Sequence, residues 1–360
     1  MTRLSAVADA LPTGDAAPAW HFTLPGWLIW TGGRLLSGLT AILFISAVVF
    51  GATQILPSDP ARVILGPDAP QASIDTMRHQ LGLDRPVAEQ YGVWIAKSLK
   101  GDLGRSLDSD VPVSQIVSGR LANSLTLMLI VLLVSVPLSF WAGIALALRR
   151  DRWIDRTAMS GLIFLKAVPN FIVGIGLIFL LATSVFRILP AVSLLEPGLP
   201  AIAQPRYLVL PVLTLILMSF PFLLRLVRAA AIETLEAEYV AAARLRGVPE
   251  KRIIWRHVIP NALVPAVQGI ALMARILLGG VLIVEVVFSF PGIGTAMNAA
   301  IEMRDLPVVQ AIALILALAV ILINLAADIA TVLLSPRLRT ARKPRIRPGT
   351  RARIRQSAGL

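Results

Sequence analysis

Few residues of this chain are of the types that carry out catalysis or bind metals. Cysteine is absent, which excludes disulfides and thiolate metal sites, and His21, His79 and His257 are not spaced as a ligand pair on one helix. No lysine follows a glycine, so a glycine-rich phosphate-binding loop ending in Lys-Ser or Lys-Thr is missing. No Ser-His-Asp arrangement can be argued from the sequence. We therefore expect no enzyme active site, no bound cofactor and no metal site in this chain.

Four charged residues lie inside or close to long apolar segments, where a charge is costly and for that reason often functional. They are Lys166, Arg275, Glu285 and Asp328. Arg275, in the middle of its segment, could face a pore and pair with a substrate carboxylate, but pairing with Glu285, Asp328 or another subunit explains it equally well. Lys166 lies nearer a segment end and could extend its amine to the membrane interface. Arg275 and Lys166 are the candidate pore-lining residues.

The elements that position these residues are membrane-spanning helices. Hydrophobic residues make up 56% of the chain and charged residues 15%, and the mean hydropathy is +0.76, which is more apolar surface than one soluble core can bury. A span needs about 20 apolar residues to cross about 30 Å of hydrocarbon. We predict an all-α integral membrane fold with six transmembrane helices, kinked at Pro137, Pro169 and Pro211. The predicted spans are residues 35–56, 121–148, 157–186, 207–224, 261–284 and 309–327.

The distribution of Lys and Arg predicts that both termini are cytoplasmic. In that orientation the inner segments hold 22 of the 34 cationic residues and the outer loops hold 10. Residues 1–26 have no signal-peptide pattern, and residues 1–34 are expected to be a cytoplasmic extension. The net charge of +13 could suggest nucleic acid. We instead interpret the basic tail, residues 335–360, as a topology signal that contacts lipid headgroups, with no nucleic-acid partner.

Two polar segments between spans have helix-forming patterns. On the predicted outer side, residues 57–120 show helical spacing at 74–81 and 87–99 and should form a small folded cap rather than a plain connector. On the predicted inner side, residues 228–246 favour a helix that ends at Gly247 in the left-handed conformation. Pro249 suits the first turn of a second helix. Residues 229–260 are therefore predicted to form a helix, a sharp turn and another helix.

The first of these inner helices combines small and charged residues in the manner of a protein-binding surface. Ala241, Ala242 and Ala243 would allow a partner to approach closely, and the charges around them would set its register. Those charged residues are Glu238, Arg244 and Arg246. A solvated amphipathic connector is the alternative interpretation.

Residues 238–260, EYVAAARLRGVPEKRIIWRHVIP, resemble the coupling loop of bacterial ABC-importer permeases. Ala242, Ala243, Gly247 and Pro260 fall on its motif, whereas Ala241 stands where an acidic residue is usual. The wider sequence, about residues 28–339, is similar to the permeases of the dipeptide, oligopeptide and nickel importer family. The segments that carry this similarity are PSDP, LGLDRP, GDLGRS and GGVLIVEVVFSFPGIGTAMNAAIEMRDLPVVQ.

The resemblance implies a type I ABC-importer permease in the bacterial inner membrane, with residues 35–334 as its transmembrane domain. Such a subunit moves substrate by alternating access and is powered by two separate ATPase subunits that bind ATP and Mg. A second permease subunit, expected to be a different chain, and an extracytoplasmic solute-binding protein would complete the importer. Tyr239 and Arg244 are our candidates for contacts with the ATPase. Peptides are the expected cargo, with nickel chelates, glutathione and sugar-like solutes left open.

Two other interpretations concern single features. An ion-coupled secondary transporter could use Lys166, Arg275, Glu285 and Asp328 as an ion or proton relay, although the six predicted helices show no obvious internal repeat. Uptake driven by an ion gradient without ATPase subunits would favour it. The glycines of FPGIGT, residues 290–295, suggest a phosphate loop, but a tight bend near the pore mouth is the better interpretation.

Overall fold

The computed structural model describes residues 26–55, 60–66, 68–196 and 198–334, and these form helices with irregular connections. The N-terminal residues 1–25 and the tail 335–360 lie outside the described residues. The chain divides into a short unit, Met1–Leu39, and a large unit, Thr40–Leu360, which contains the hydrophobic core. The helices are α1 (Gly26–Ile55), α2 (Pro60–Leu65), α3 (Gln71–Leu81), α4 (Val87–Leu99), α5 (Val113–Ala147), α6 (Trp153–Ala167), α7 (Asn170–Ile178), α8 (Pro205–Glu236), α9 (Glu238–Leu245), α10 (Glu250–Ile253), α11 (Ile259–Val287), α12 (Ile293–Glu302) and α13 (Leu306–Leu334).

Five helical segments of the described chain are long and apolar enough to cross a membrane, and a bent pair makes a sixth if it counts as one span. The six predicted apolar segments all fall on them. The third differs from its prediction, because residues 157–186 do not form one continuous helix. The segments are Gly32–Ile55, Val113–Ala147, Pro205–Glu236, Glu250–Val287 and Leu306–Thr331, with the pair Trp153–Ala167 and Asn170–Thr183.

The break in the third segment occurs at Pro169. Helices α6 and α7 meet there at 99°. Proline has no N–H and disfavours the helical conformation of the residue before it. Val168 is accordingly extended, at φ −82° and ψ 129°, and α7 restarts at Asn170. The predicted kink at Pro169 is therefore a full break.

Pro211 leaves its helix unbroken, and another segment of the chain replaces the missing hydrogen bond. A proline at this position in α8 deprives the Tyr207 carbonyl of its helical donor. The Ser193 hydroxyl, in the loop before α8, donates to that carbonyl oxygen at 2.7 Å. Ser193 is itself held by its backbone N–H, which donates to the Phe288 carbonyl at the end of α11 at 2.8 Å.

The core of the large unit is formed by α5, α8 and α11. Small residues let α5 and α8 approach closely: a Cβ at Gly143 would lie 2.9 Å from the Leu224 carbonyl oxygen. The hydroxyls of Ser135 and Ser219 are 3.4 Å apart across the same contact. Fully buried apolar side chains fill the remaining space, among them Leu127, Val131, Leu215, Leu223, Val227, Met273 and Leu277.

The predicted helices within residues 57–120 are confirmed as α3 and α4. Helix α4 packs on residues of α1 through an aromatic cluster in which the ring centroids of Tyr91 and Trp94 each lie 5.6 Å from that of Phe50. The Ser46 and Tyr91 hydroxyls are 2.8 Å apart. This loop is therefore a folded, packed segment.

Candidate functional site

The segment between α8 and α11 folds into two short helices, α9 and α10, called here the helix pair. The prediction of a single helix over residues 228–246 is wrong. The helix is interrupted once, at Ala237, which adopts an extended conformation at φ −63° and ψ 140°. The break lets α9 turn its apolar side into the core, where Val240 is fully buried and Ala243 is 6% exposed. Burial of these side chains is the physical reason for the break.

The turn between the two helices has the predicted conformation. Gly247 lies at φ +76°, in the left-handed region, and its N–H donates to the Arg244 carbonyl at 2.9 Å. Pro249 then precedes α10, with φ −64° and ψ 142°. A π-helical turn, Ile254–Val258, joins α10 directly to α11 and its exposed Pro260, so the second helix of the pair continues into a span.

Ala243 does not present the small-residue surface that we expected of the three alanines. It is packed on the chain's own core, together with Val240 and with Ile253 of α10. Ala242 is half-buried, and Ala241 alone of the three is exposed. Of the three alanines, Ala243 therefore packs the helix pair against the spans.

Large apolar side chains on the helix pair and the adjoining turn are exposed instead. Leu245 is 90% exposed, Trp255 58% and Tyr239 47%. Leu245 and Trp255 were missed by sequence reasoning, although an apolar residue in so basic a segment is a usable signal. Exposed apolar groups on a polar connection are typical of a protein interface.

The charged residues of the helix pair hold it in place. The Arg244 guanidinium donates to Glu250 at 2.7 Å and to the Leu235 carbonyl at 3.3 Å, which ties α9 to α10 and to α8. Arg244 is thus engaged within the chain, while Glu238 is exposed. Between the pair and the ends of α5 and α8 lies an open cleft of about 480 Å³, lined in part by Arg150, Glu236, Arg244 and Glu250.

Tyr239 contacts the start of α11 while remaining half-exposed. Its hydroxyl accepts a hydrogen bond from the Asn261 side chain at 3.4 Å. Its ring lies 5.8 Å from that of His257, at an interplanar angle of 57°. Tyr239 therefore links α9 to the span that follows the helix pair.

A buried ion pair fixes α6 to α8 and was not identified from the sequence. The Arg228 guanidinium donates two bonds to the Asp155 carboxylate, at 2.7 and 2.6 Å. The Asp155 side chain is 3% exposed and that of Arg228 is 20% exposed. The backbone N–H of Asp151 donates to the same carboxylate at 3.1 Å, so Asp155 also holds the α5–α6 turn.

The charges inside the spans have different surroundings. Lys166 is exposed in the last turn of α6, beside the break at Pro169. Arg275 is exposed midway along α11, and within the described ranges it makes no hydrogen bond or ion pair. Glu285 is fully buried and accepts bonds from the Ser124 hydroxyl at 2.5 Å and the Gly294 N–H at 2.6 Å. Glu285 is therefore not the partner of Arg275.

The FPGIGT segment forms a tight bend between α11 and α12, as predicted. A Cβ at Gly294 would overlap the backbone of Leu282, so only glycine fits there. The N–H of Ile293 donates to the Ser124 hydroxyl at 2.8 Å. Because neighbouring side chains occupy the N–H groups of Ile293 and Gly294, these groups are not available to cradle a phosphate.

A third buried carboxylate joins the loop before α5 to the turn before α13. Asp305 is 4% exposed and accepts bonds from the Ser106 hydroxyl and from the Leu107 N–H, the latter at 3.1 Å. In the described part of the chain, no group of three or more His, Cys, Asp or Glu side chains is arranged to hold a metal ion.

Two family profiles match most of the chain. Residues 135–340 match the binding-protein-dependent transport system inner membrane component, and residues 30–128 match the N-terminal part of the membrane component of such systems. Similar proteins include the glutathione transport system permease protein GsiC of Escherichia coli strain K12 and that of Shigella flexneri serotype 5b. Each is 35% identical over 309 residues, which cover 85% of this chain and 97% of the relative.

Proposed function

This chain belongs to the family of binding-protein-dependent transport system inner membrane components, and on that premise we propose that the helix pair is the surface through which ATPase subunits drive it. The chain is a multi-pass permease subunit of a type I ABC importer. Its role is translocation and not catalysis, and the ion-coupled alternative is not favoured by these relatives. The sequence has no phosphate-binding loop of its own, which supports separate ATPase subunits.

The proposed assembly contains two ATP-binding subunits, a second permease subunit and an extracytoplasmic solute-binding protein. The excess of Lys and Arg supports a cytoplasmic location for both termini and for the helix pair. Residues 1–34 and 335–360 would then be cytoplasmic extensions, and residues 57–120 would cap the outer side of the transmembrane domain. ATP and Mg would be bound by the partner subunits.

The exposed side chains of the helix pair are the observation that carries this proposal. Leu245 and Tyr239 offer apolar surface to a partner, while Val240 and Ala243 pack α9 into the core. Arg244 and Glu250 close the turn between the helices. A rigid pair continuous with α11 and adjacent to α8 would transmit a partner's movement to both spans. Closure of the ATPases would thus switch the cavity between its two openings.

The cargo we propose is a peptide-class solute. The curated relatives named above are glutathione transport permeases, and glutathione is itself a small peptide. Dipeptides and longer oligopeptides belong to the same chemical class. Uptake assays with glutathione, with dipeptides and with longer oligopeptides distinguish these substrates.

Gly247→Leu tests the coupling role. A side chain at φ +76° strains the backbone by about 1–2 kcal/mol, yet its Cβ meets nothing within 4 Å, so the change acts through the turn alone. In proteoliposomes that contain the complete importer, we expect normal membrane insertion and continued ATP hydrolysis. Solute transported per ATP should fall roughly tenfold, the equilibrium equivalent of about 1.4 kcal/mol.

A matched control is Gly101→Leu. Gly101 has a similar φ of +83° and equally open surroundings, but it lies in the loop between α4 and α5. Its replacement should leave the ratio of transport to hydrolysis unchanged. If Gly247→Leu transports as well as the unmodified importer, the helix pair is not the coupling element.

A further inference from the structure

A polar stripe runs along the exposed side of α11. Asn261, Gln268 and Arg275 are spaced by seven residues, so successive members are offset by only about 20° around the helix. All three are exposed, as is Gly279 one turn beyond Arg275. The opposite side of the helix is apolar and buried, with Met273 and its neighbours packed in the core. Exposed Leu272 and Ile276 flank the stripe, whose polar members share one angular position on the helix.

Two members of the stripe have no partner in the described part of the chain. Asn261 donates to the His257 carbonyl at 2.7 Å and to Tyr239. No hydrogen bond or ion pair of Gln268 or Arg275 exists within the described ranges. Glu285, a carboxylate on the same helix, lies ten residues or about 15 Å further along the axis and is occupied by Ser124.

An unpaired guanidinium at this depth does not face lipid. A charge in the middle of a span is costly, so charged side chains there face a water-filled cavity or an opposite charge. Gly279 leaves room beside Arg275, because a Cβ at that position would meet nothing within 4 Å. Arg275 is therefore a cationic donor midway along the span, beside a glycine that places no side chain next to it.

We propose that Gln268, Arg275 and Gly279 line the solute pathway and that Arg275 binds a carboxylate of the passing cargo. This inference rests on the proposed function as an importer of peptide-class solutes. A guanidinium presents two parallel N–H donors that match the two oxygens of a carboxylate. Arg275 would favour solutes with a free carboxyl group, while the Gln268 amide offers a neutral donor and acceptor two turns away.

Cysteine accessibility tests whether the stripe lines the pathway. The chain has no cysteine, so a single introduced thiol reports its own position. In the assembled importer, Gly279→Cys should react with a membrane-impermeant sulfonate-bearing thiosulfonate at least roughly tenfold faster than two controls. Ala274→Cys is a buried control on the same helix, and Leu129→Cys lies on an exposed apolar stripe of α5. Equally slow reaction at all three positions would overturn the pathway assignment.

Substrate preference tests the role of the guanidinium. ATP-driven uptake of dialanine and of dialanine amide is compared for the unmodified importer, Arg275→Gln and Arg275→Lys. Because the same solute-binding protein is present throughout, its own preference cancels between variants. Arg275→Gln should reduce the ratio of carboxylate to amide uptake by roughly 10- to 100-fold, the range expected for a charged hydrogen bond. Arg275→Lys should give an intermediate ratio, because the charge remains without the two-donor geometry.

The two hypotheses fail in different ways. An unmodified complex that takes up neither dipeptide when given ATP would count against the proposed cargo class, while the thiol labelling would still report on the pathway. A rapidly labelled Gly279→Cys combined with an unchanged uptake ratio in Arg275→Gln would overturn the carboxylate role. If Arg275→Gln does not assemble, the ratio measured for Arg275→Lys decides, and an unchanged ratio there refutes the two-donor contact.

Discussion

Neutralising Asp155 should destabilise the permease far more than neutralising an exposed carboxylate nearby. Asp155→Asn keeps the side-chain volume and leaves the Arg228 guanidinium facing a neutral amide. Breaking a buried ion pair by removing one partner costs about 3–5 kcal/mol. Asp155 is almost fully buried, but Arg228 keeps 20% exposure and recovers some hydration. We therefore expect Asp155→Asn to lower the free energy of unfolding by about 3 kcal/mol, the lower end of that range.

The exposed pair Arg150–Glu236 is the internal comparison. Glu236 is the last residue of α8, so this pair also involves that helix, but its side chains are 44% and 62% exposed. Exposed pairs contribute about 0–1 kcal/mol, so Glu236→Gln should have a small effect. The buried and exposed substitutions should thus differ by about 2 kcal/mol or more in the free energy of unfolding.

The measurement is SDS-driven unfolding of the purified permease in mixed detergent micelles. A double-mutant cycle with Asp155→Asn and Arg228→Gln should show a coupling energy above about 1 kcal/mol, because the side chains are in direct contact. Equal destabilisation by Asp155→Asn and Glu236→Gln, or additive effects in the cycle, would refute the reasoning. The ion pair would then make no measurable contribution to the free energy of unfolding.

Four further substitutions test other parts of the structure. Leu245→Glu should reduce co-purification of the ATPase subunits by roughly tenfold without affecting membrane insertion, since it places a charge in the proposed apolar contact; full retention would remove Leu245 from the interface. Gly294→Ala should lower stability by about 1–3 kcal/mol because its Cβ overlaps the Leu282 backbone, whereas Gly279→Ala should be neutral or stabilise by up to about 1 kcal/mol, as thermal unfolding can show. Asp305→Asn should weaken two buried hydrogen bonds by about 1–3 kcal/mol and speed proteolysis of residues 100–112; an unchanged cleavage rate would contradict this.

The positions of the spans could be predicted because a run of apolar residues is a local property. The behaviour of the prolines could not. Pro169 and Pro211 look alike in the sequence, yet the first separates two helices at 99° and the second lies inside an unbroken one. At Pro211 the Ser193 hydroxyl, from another segment of the chain, replaces the lost hydrogen bond. Such a donor is visible only after folding.

The candidate site shows the same division between local and distant information. The turn at Gly247 follows from local residue types and was predicted correctly. The orientation of α9 depends on the core beneath it, so Ala243 faces inward although the sequence favoured an exposed alanine surface. The bond between Asp155 and Arg228 joins residues 73 positions apart, and no spacing rule indicates it.

The hydrogen bonds that Asp305 accepts have a consequence for biosynthesis. Its donors Ser106 and Leu107 precede it by nearly 200 residues. A ribosome adds about 5–20 residues per second, so about 10–40 s pass between synthesis of the serine and arrival of its acceptor. During that interval the loop before α5 lacks the carboxylate acceptor that its donors have in the folded protein. These hydrogen bonds can therefore form only in chains that have been synthesised past the turn before α13.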